Sequence, residues 1–302
     1  MILPDSMQVL ERGWLSSNNI LFTGRDQTAL VDSGYLTHAP QTLALVEHAL
    51  QGRPLDRLLN THLHSDHCGG NAALQNRYGC RTTIPATEAA KVRAWDEDAL
   101  TYVVTGQQCA RFSFDDTMSA GDVIELGDLQ WQVLGAPGHD PHSLILYNRQ
   151  QRILISADAL WENGFGVIFP ELAGEPGFAE TRATLELIST LDIGLVIPGH
   201  GAPFTNVGKA LDTAFSRIDY LAVDPLRNAQ NAVKVLLKFL LLDRQRMALT
   251  AVPQLLAAIP LVVMANRNYL HQTTDELAQW AIAQLLRAGA AVVDGEELAN
   301  HD

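Results

Sequence analysis

The stretch Thr61-His62-Leu63-His64-Ser65-Asp66-His67 packs three imidazoles and a carboxylate into seven residues, directly after the apolar run Leu55 to Leu59. Such crowding is the pattern of a metal site, because neutral imidazole and carboxylate suit zinc, with iron and manganese as further options. With Arg57 to Thr61 read as a strand, His62 and His64 lie two residues apart at its end and point to one side, so one cation can take both. Gly69-Gly70-Asn71 precedes a helical pattern in Ala72, Ala73, Leu74 and Tyr78. The turn between strand and helix brings Asp66 and His67 round to a second cation. The plain alternative is a loop with polar surface histidines, which does not account for so many ligand types in so short a run.

These residues fill the motif HxHxDH as His62, His64, Asp66 and His67, and the chain resembles the metallo-β-lactamase fold superfamily. Three further motifs follow in the family's order, each at the end of a strand pattern. They are Pro137-Gly138-His139 after Leu129 to Leu134, Ser156-Ala157-Asp158 after Arg152 to Ile155, and Ile197-Pro198-Gly199-His200-Gly201 after Ile193 to Ile197. The resemblance covers roughly residues 7 to 210. It implies an α+β fold, a four-layer αβ/βα sandwich with a C-terminal helical extension, divided into a catalytic domain at 1–206 and a helical region at 207–302. It also implies a binuclear centre. His62, His64 and His139 would hold one metal, Asp66, His67 and His200 the other, and Asp158 would bridge them, which makes Asp66 and Asp158 the candidate catalytic carboxylates. Asp32, in Val31-Asp32-Ser33-Gly34, would support a ligand from behind.

Within the superfamily, Thr61 to Asn71 reads THxHxDHxGGN, the form of the hydroxyacylglutathione hydrolase (glyoxalase II) type. His67 separates the chain from many true β-lactamases, and His64 from the diiron flavoproteins, which usually carry glutamate there. One departure is His142, where many relatives have glycine.

The implied chemistry is hydrolysis of an ester, thioester or lactone bond in a small, anionic metabolite, with two divalent cations, zinc first, supplying hydroxide and a Lewis acid. Two other readings stay open: a mononuclear iron enzyme of the persulfide dioxygenase type, and a metal-bound regulatory or binding protein whose helical tail is its interaction module. A helix starting near Gly69 is expected to aim backbone N–H groups at substrate oxygens.

A formal charge of −13 without a Lys/Arg block argues against nucleic acid or an anionic membrane as partner. The expected partner is a small-molecule substrate, with a homodimer possible. Met1 to Gly13 holds Asp5, Glu11 and Arg12 and no long apolar run, so neither signal peptide nor membrane helix is expected, and the expected location is the cytoplasm. Cys68, Cys80 and Cys109 are scattered, as reduced thiols would be; Cys68 adjoins His67 and could approach the metals, though the seven ligand positions are already filled.

The rest of the chain reads as a hairpin at Asn19–Thr23 and Thr28–Asp32, helices at 40–50 and 86–95, and strands at 81–84, 123–126, 129–134, 143–147 and 153–156. Residues 96–118 are apolar but irregular and are expected as an insertion covering part of the site. Trp161 to Pro170, rich in aromatics and glycine after Asp158, is a candidate substrate wall. Helices follow at 178–191, 207–223, 231–242, 252–259 and 274–287, then a short strand and turn at 290–295, an arrangement resembling the winged-helix tails of some relatives.

Overall fold

The computed structural model describes residues 3–301. Its first sheet contains, in spatial order, β1 (Met7–Leu10), β2 (Asn19–Thr23), β3 (Thr28–Val31), β4 (Arg57–Leu59), β5 (Arg81–Pro85) and β6 (Asp116–Met118). β1 to β3 are an antiparallel meander, and β3 to β6 run parallel. The second sheet is ordered β11 (Leu195–Pro198), β10 (Ile153–Ala157), β9 (Leu144–Asn148), β8 (Leu129–Gly135) and β7 (Val123–Leu126).

Alternation along the strands explains the layering, since successive side chains point to opposite faces. Ile20, Phe22, Ala29 and Val31 of the first sheet meet Trp131, Val133, Leu146, Ile155 and Ile197 of the second in a core between the sheets. Their neighbours Leu21, Leu30 and Leu58 point outward, under α1 (Ala39–Leu50) and α3 (Asn71–Tyr78), through Val46, Leu50 and Leu74. On the far side Ile145, Leu154 and Val196 are covered by α6 (Gly177–Ser189) and α7 (Val207–Val223), through Leu185, Ile188, Ala210, Ala214 and Ile218. The result is the expected four-layer αβ/βα sandwich, and α7 is part of its outer layer.

Beyond α7 lie α8 (Pro225–Arg244), α9 (Val252–Ala257), α10 (Pro260–Ala265), α11 (Thr274–Arg287) and a three-stranded sheet ordered β12 (Arg246–Ala248), β14 (Glu297–Asn300) and β13 (Ala291–Asp294). α8 is longer than the apolar pattern 231–242 because Asp224 caps it, accepting from the Leu226 N–H, and Pro225 opens its first turn. A full capping box between Thr273 and Glu276 starts α11. Leu236, Leu237, Leu256, Val262 and Leu277 form a core of their own, which also takes in Val167 and Leu172 from the loop after β10. No single helix among the described residues is long and apolar enough to cross a membrane.

Candidate metal centre

The ends of five strands supply the site: β3 leads to Asp32, β4 to the histidine stretch, β8 to His139, β10 to Asp158 and β11 to His200. The expected strand over Arg57 to Thr61 stops at Leu59. Beyond it the Thr61 N–H donates to Asp32 Oδ1 at 2.9 Å, while the Thr61 carbonyl accepts from Leu144 N–H of the other sheet at 2.9 Å. The chain therefore leaves its ladder to cross between sheets, and strand alternation is not what aligns His62 with His64. They converge because His64 is extended (φ −63°, ψ 147°) and immediately precedes the short helix α2 (Ser65–Cys68), whose first turn carries Asp66 and His67.

The Gly69 N–H groups do not face the cavity as expected. Gly69 N–H donates to Ser65 O at 2.9 Å, and Gly70 N–H to Gly34 O and Ser33 Oγ, each at 3.1 Å. At the start of α3 the Asn71 side-chain amide is turned to Asn60, donating to its Oδ1 at 2.7 Å.

The structure gathers all seven sequence-derived positions into two groups, His62–His64–His139 and Asp66–His67–Asp158–His200, within each of which the donor atoms lie within 4.8 Å of one another. His64 Nδ1 is 3.1 Å from His62 Nε2 and 2.8 Å from His139 Nε2. In the second group Asp66 Oδ2 is 3.1 Å from His200 Nε2 and 3.9 Å from His67 Nε2. Asp158 stands between the groups: Oδ2 is 3.3 Å from His139 Nε2 and Oδ1 is 3.4 Å from His67 Nε2. Ligands around one tetrahedral zinc sit about 3.3 Å apart, given metal–nitrogen bonds of about 2.0–2.1 Å. His67 Nε2 is buried without a hydrogen-bond partner and faces two carboxylates, an arrangement that a cation would complete.

The remote faces of three of these rings are held by hydrogen-bond partners, and that of a fourth, His64, faces a carboxylate. Asp32 Oδ2 lies 2.8 Å from His67 Nδ1, Thr61 Oγ1 3.1 Å from His62 Nδ1, the Val167 carbonyl 2.5 Å from His139 Nδ1, and Asp140 Oδ2 3.6 Å from His64 Nε2. Such partners fix tautomer and ring direction. Gly199 is required beside them, because a Cβ there would run into the Asp158 carboxylate and the His67 ring.

Charge is sorted across the site. Burial, reinforced by the neighbouring imidazoles, holds His62 well below the usual histidine range, and burial first, then His64, pushes His139 down to about 4. His67 goes the other way: burial opposes its charged form most, but Asp158, Asp32 and Asp66 together outweigh it and raise the pKa. For Asp158 burial again opposes the charged form, and His67, His200 and His139 outweigh it and lower the pKa. In the first group His62 and His139 are thus kept neutral, and the second group carries the carboxylates.

Cys68 lies outside both groups. Its thiol turns away, to Tyr102 Oη at 3.2 Å and Cys109 Sγ at 3.8 Å. His142 is also apart from them, 3.5 Å from Glu88 Oε1.

A cavity of about 310 Å³ opens onto the centre. Trp161, Phe165, Val167 and Phe169 line it, so the aromatic stretch after Asp158 does form a wall, and the Trp161 indole N–H donates to Asp158 Oδ1 at 3.3 Å. From the 96–118 excursion, Thr105 and Gln107 reach the same cavity. The opposite wall comes from the C-terminal helices, as their apolar faces in need of partners call for, but sequence reasoning did not single out its residues. Asn231, Val235, Lys238, Phe239 and Leu242 share one face of α8, and this i, i+4, i+7 stripe beside the core stripe was the available signal. It also missed Trp14, which is 54% exposed and stacks on His200 with ring centroids 5.5 Å apart, and Arg217 of α7; neither stands in a motif.

The model of the metallo-beta-lactamase superfamily matches residues 12–200. The chain belongs to this superfamily. Among curated proteins it is similar to the hydroxyacylglutathione hydrolase of Rhodopseudomonas palustris, with 34% identity over 148 residues, 45% of this chain and 51% of the relative. The chain therefore spans about half the length of the curated relatives it matches. Among solved structures, a metallo-beta-lactamase family protein from Thermus thermophilus aligns over 99% of this chain and 100% of its own, with a TM-score of 0.60 and 18% identity. TTHA1623 in a di-iron-bound form aligns over 68% of this chain and 98% of its own, with a TM-score of 0.55 and 23% identity. Both likenesses concern the fold.

Proposed function

We propose that this superfamily member is a binuclear metal hydrolase that cleaves an ester, thioester or lactone bond in a small metabolite. The observation that carries this reading is the placement of Asp158, whose two carboxylate oxygens each face a histidine of a different group, at 3.3 and 3.4 Å. The likeness to hydroxyacylglutathione hydrolases supports carbonyl chemistry, and the small cavity supports a metabolite over a polymer.

In this reading His62, His64 and His139 hold one divalent cation, Asp66, His67 and His200 the other, and Asp158 spans both, with zinc as first choice and iron or manganese as alternatives. Cations bound there would acidify water and polarise a carbonyl. The chain's own residues do the positioning. Asp32 fixes the His67 ring, Val167 that of His139, and the Trp161 indole steadies the Asp158 carboxylate. Trp14 and Trp161 flank His200 and limit water at the mouth. The α8 face closes the cavity opposite the aromatic loop, so residues 207–302 act in this proposal as part of the substrate site.

The test is elemental analysis after loading with excess metal, together with assays of zinc- and manganese-loaded protein on a panel of esters, thioesters and lactones. Two metals per chain and oxygen-independent hydrolysis are expected. Oxygen consumption with a persulfide by iron-loaded protein, alongside no hydrolysis by any metal form, would replace this reading with the dioxygenase.

A further inference from the structure

Arg217 projects from α7 into the wall of the cavity that the metal groups share. Its guanidinium carbon lies 5.3 Å from the centroid of the Phe165 ring. On another side it rests against Gly164 (φ 123°), where a Cβ would stand 3.0 Å from Arg217 Cδ and 3.2 Å from Nη1. The glycine therefore makes the room that the arginine occupies. Among the described residues no carboxylate pairs with Arg217 and no oxygen accepts from it. That is notable in a chain of net charge −13, where Arg81, Arg152 and Arg246 each hold an acid within 3.0 Å at the surface. Two further donors belong to the same region. Lys234 is close enough for Arg217 to add to the depression of its pKa, which burial leads. The side-chain amide nitrogen of Asn231, which lines the cavity, is buried without a partner.

A half-buried guanidinium without an anion is expensive, because it gives up water without gaining a counter-charge. Its flat fork matches a carboxylate, which can accept from two of its N–H groups at once. Elsewhere on this wall Phe165, Val235, Phe239 and Leu242 are apolar, while the Lys238 ammonium donates to the Ala290 carbonyl at 2.9 Å and to Asn300 Oδ1 at 2.6 Å.

We propose that Arg217, with the Asn231 amide lining the same cavity and the Lys234 charge near enough to be felt, is the anchor for a terminal carboxylate of the substrate. The substrate class is then an acyl compound with a short apolar body, its labile bond at the metal groups and its anionic end on Arg217. The loop from Asp158 to Gly166, closed by the Gly166 N–H to Asp158 carbonyl bond of 2.9 Å, carries both the shared carboxylate and the ring under the arginine, and so sets the spacing between the two ends. The substrate half of this inference rests on the hydrolase reading; the anion site does not.

The experiment uses the zinc-loaded full chain and two esters of equal chain length, mono-p-nitrophenyl glutarate and p-nitrophenyl pentanoate. Wild type should favour the glutarate ester in kcat/KM. In Arg217→Gln that preference should fall about ten- to hundredfold, through KM for the glutarate ester, as loss of a charge-assisted hydrogen bond predicts, and Arg217→Lys should restore part of it. Glutarate binding, followed by calorimetry on both proteins with melting curves to check folding, gives a readout without turnover. Weaker glutarate binding in Arg217→Gln supports the site even if neither ester is cleaved, an outcome that would count against the hydrolase reading alone. Equal glutarate affinity in wild type and Arg217→Gln, or an unchanged ester preference, overturns the inference.

Discussion

Asp32 Oδ2 lies 2.8 Å from His67 Nδ1 and also accepts from the Thr61 hydroxyl at 2.8 Å, so one carboxylate ties the end of β3 to both sides of the histidine stretch. Asp32 adopts a left-handed backbone (φ 60°) to do this, a conformation that costs a non-glycine residue energy. Asp32→Asn keeps the shape and removes the charge. Metal affinity of the second group should fall by about 10–100-fold, measured by competition with a chromophoric chelator. Unchanged affinity would mean that Asp32 serves only the turn.

Asp158→Ala removes the carboxylate shared by both groups. Stoichiometry after loading should fall from two metals to one or fewer, and the rate by more than the roughly 10–100-fold expected from losing an outer partner. Inductively coupled plasma analysis beside a kinetic assay checks both. Two tightly held metals in Asp158→Ala would argue against bridging.

The titration of the site gives the chelated protein a stability optimum. His139, lowered to about 4, and His62, also held well below its ordinary value, stay neutral in the fold while the unfolded chain takes up protons below the ordinary value of 6.5. The unfolded state therefore binds more protons between about 4 and 6.5, and stability rises with pH across that window, by about 1.4 kcal/mol per unit for each such group. His67 has the opposite sign: its raised pKa gives stability that is complete below 6.5 and is lost as pH climbs through the folded value. Urea midpoints of the chelated protein should peak near neutral pH and fall on both sides, and a flat profile from 4 to 8 would contradict these assignments.

Leu237 is fully buried in the core that joins α8 to Val167 and Leu172 of the site loop. Leu237→Ala should cost about 2–5 kcal/mol of unfolding free energy, read from urea denaturation. Truncation after Phe204 is harsher. It strips Ala210, Ala214 and Ile218 from the outer face of the second sheet as well, and insoluble protein is expected. Soluble truncated protein with unchanged kinetics would show that residues 207–302 are dispensable.

Much of the site was legible because each ligand motif is local. His62 to His67, Pro137 to His139, Asp158 and Pro198 to His200 each sit just past an apolar strand pattern, and a sandwich brings strand ends to one edge. The strands themselves read well for the same reason: Leu21 and Leu30 alternate with Ile20, Phe22 and Val31 between two helical and inter-sheet cores. What failed were inferences that assumed regular geometry where the backbone is occupied elsewhere. The strand ran short at Leu59 because Thr61 bonds across to Asp32 and Leu144, and the Gly69 and Gly70 amides were already satisfied by Ser65, Gly34 and Ser33.

The linear order of residues determined the candidate ligand types, their sequence and the strands that carry them, since hydrophobic alternation and local spacing are properties of neighbours along the chain. Only the tertiary structure decided that Asp158 faces a histidine of each group, that Trp14 covers His200, and that Arg217 and one stripe of α8 complete the cavity. Those contacts join segments scores of residues apart, and their energy comes from burial and charge in a shared space that no local pattern encodes.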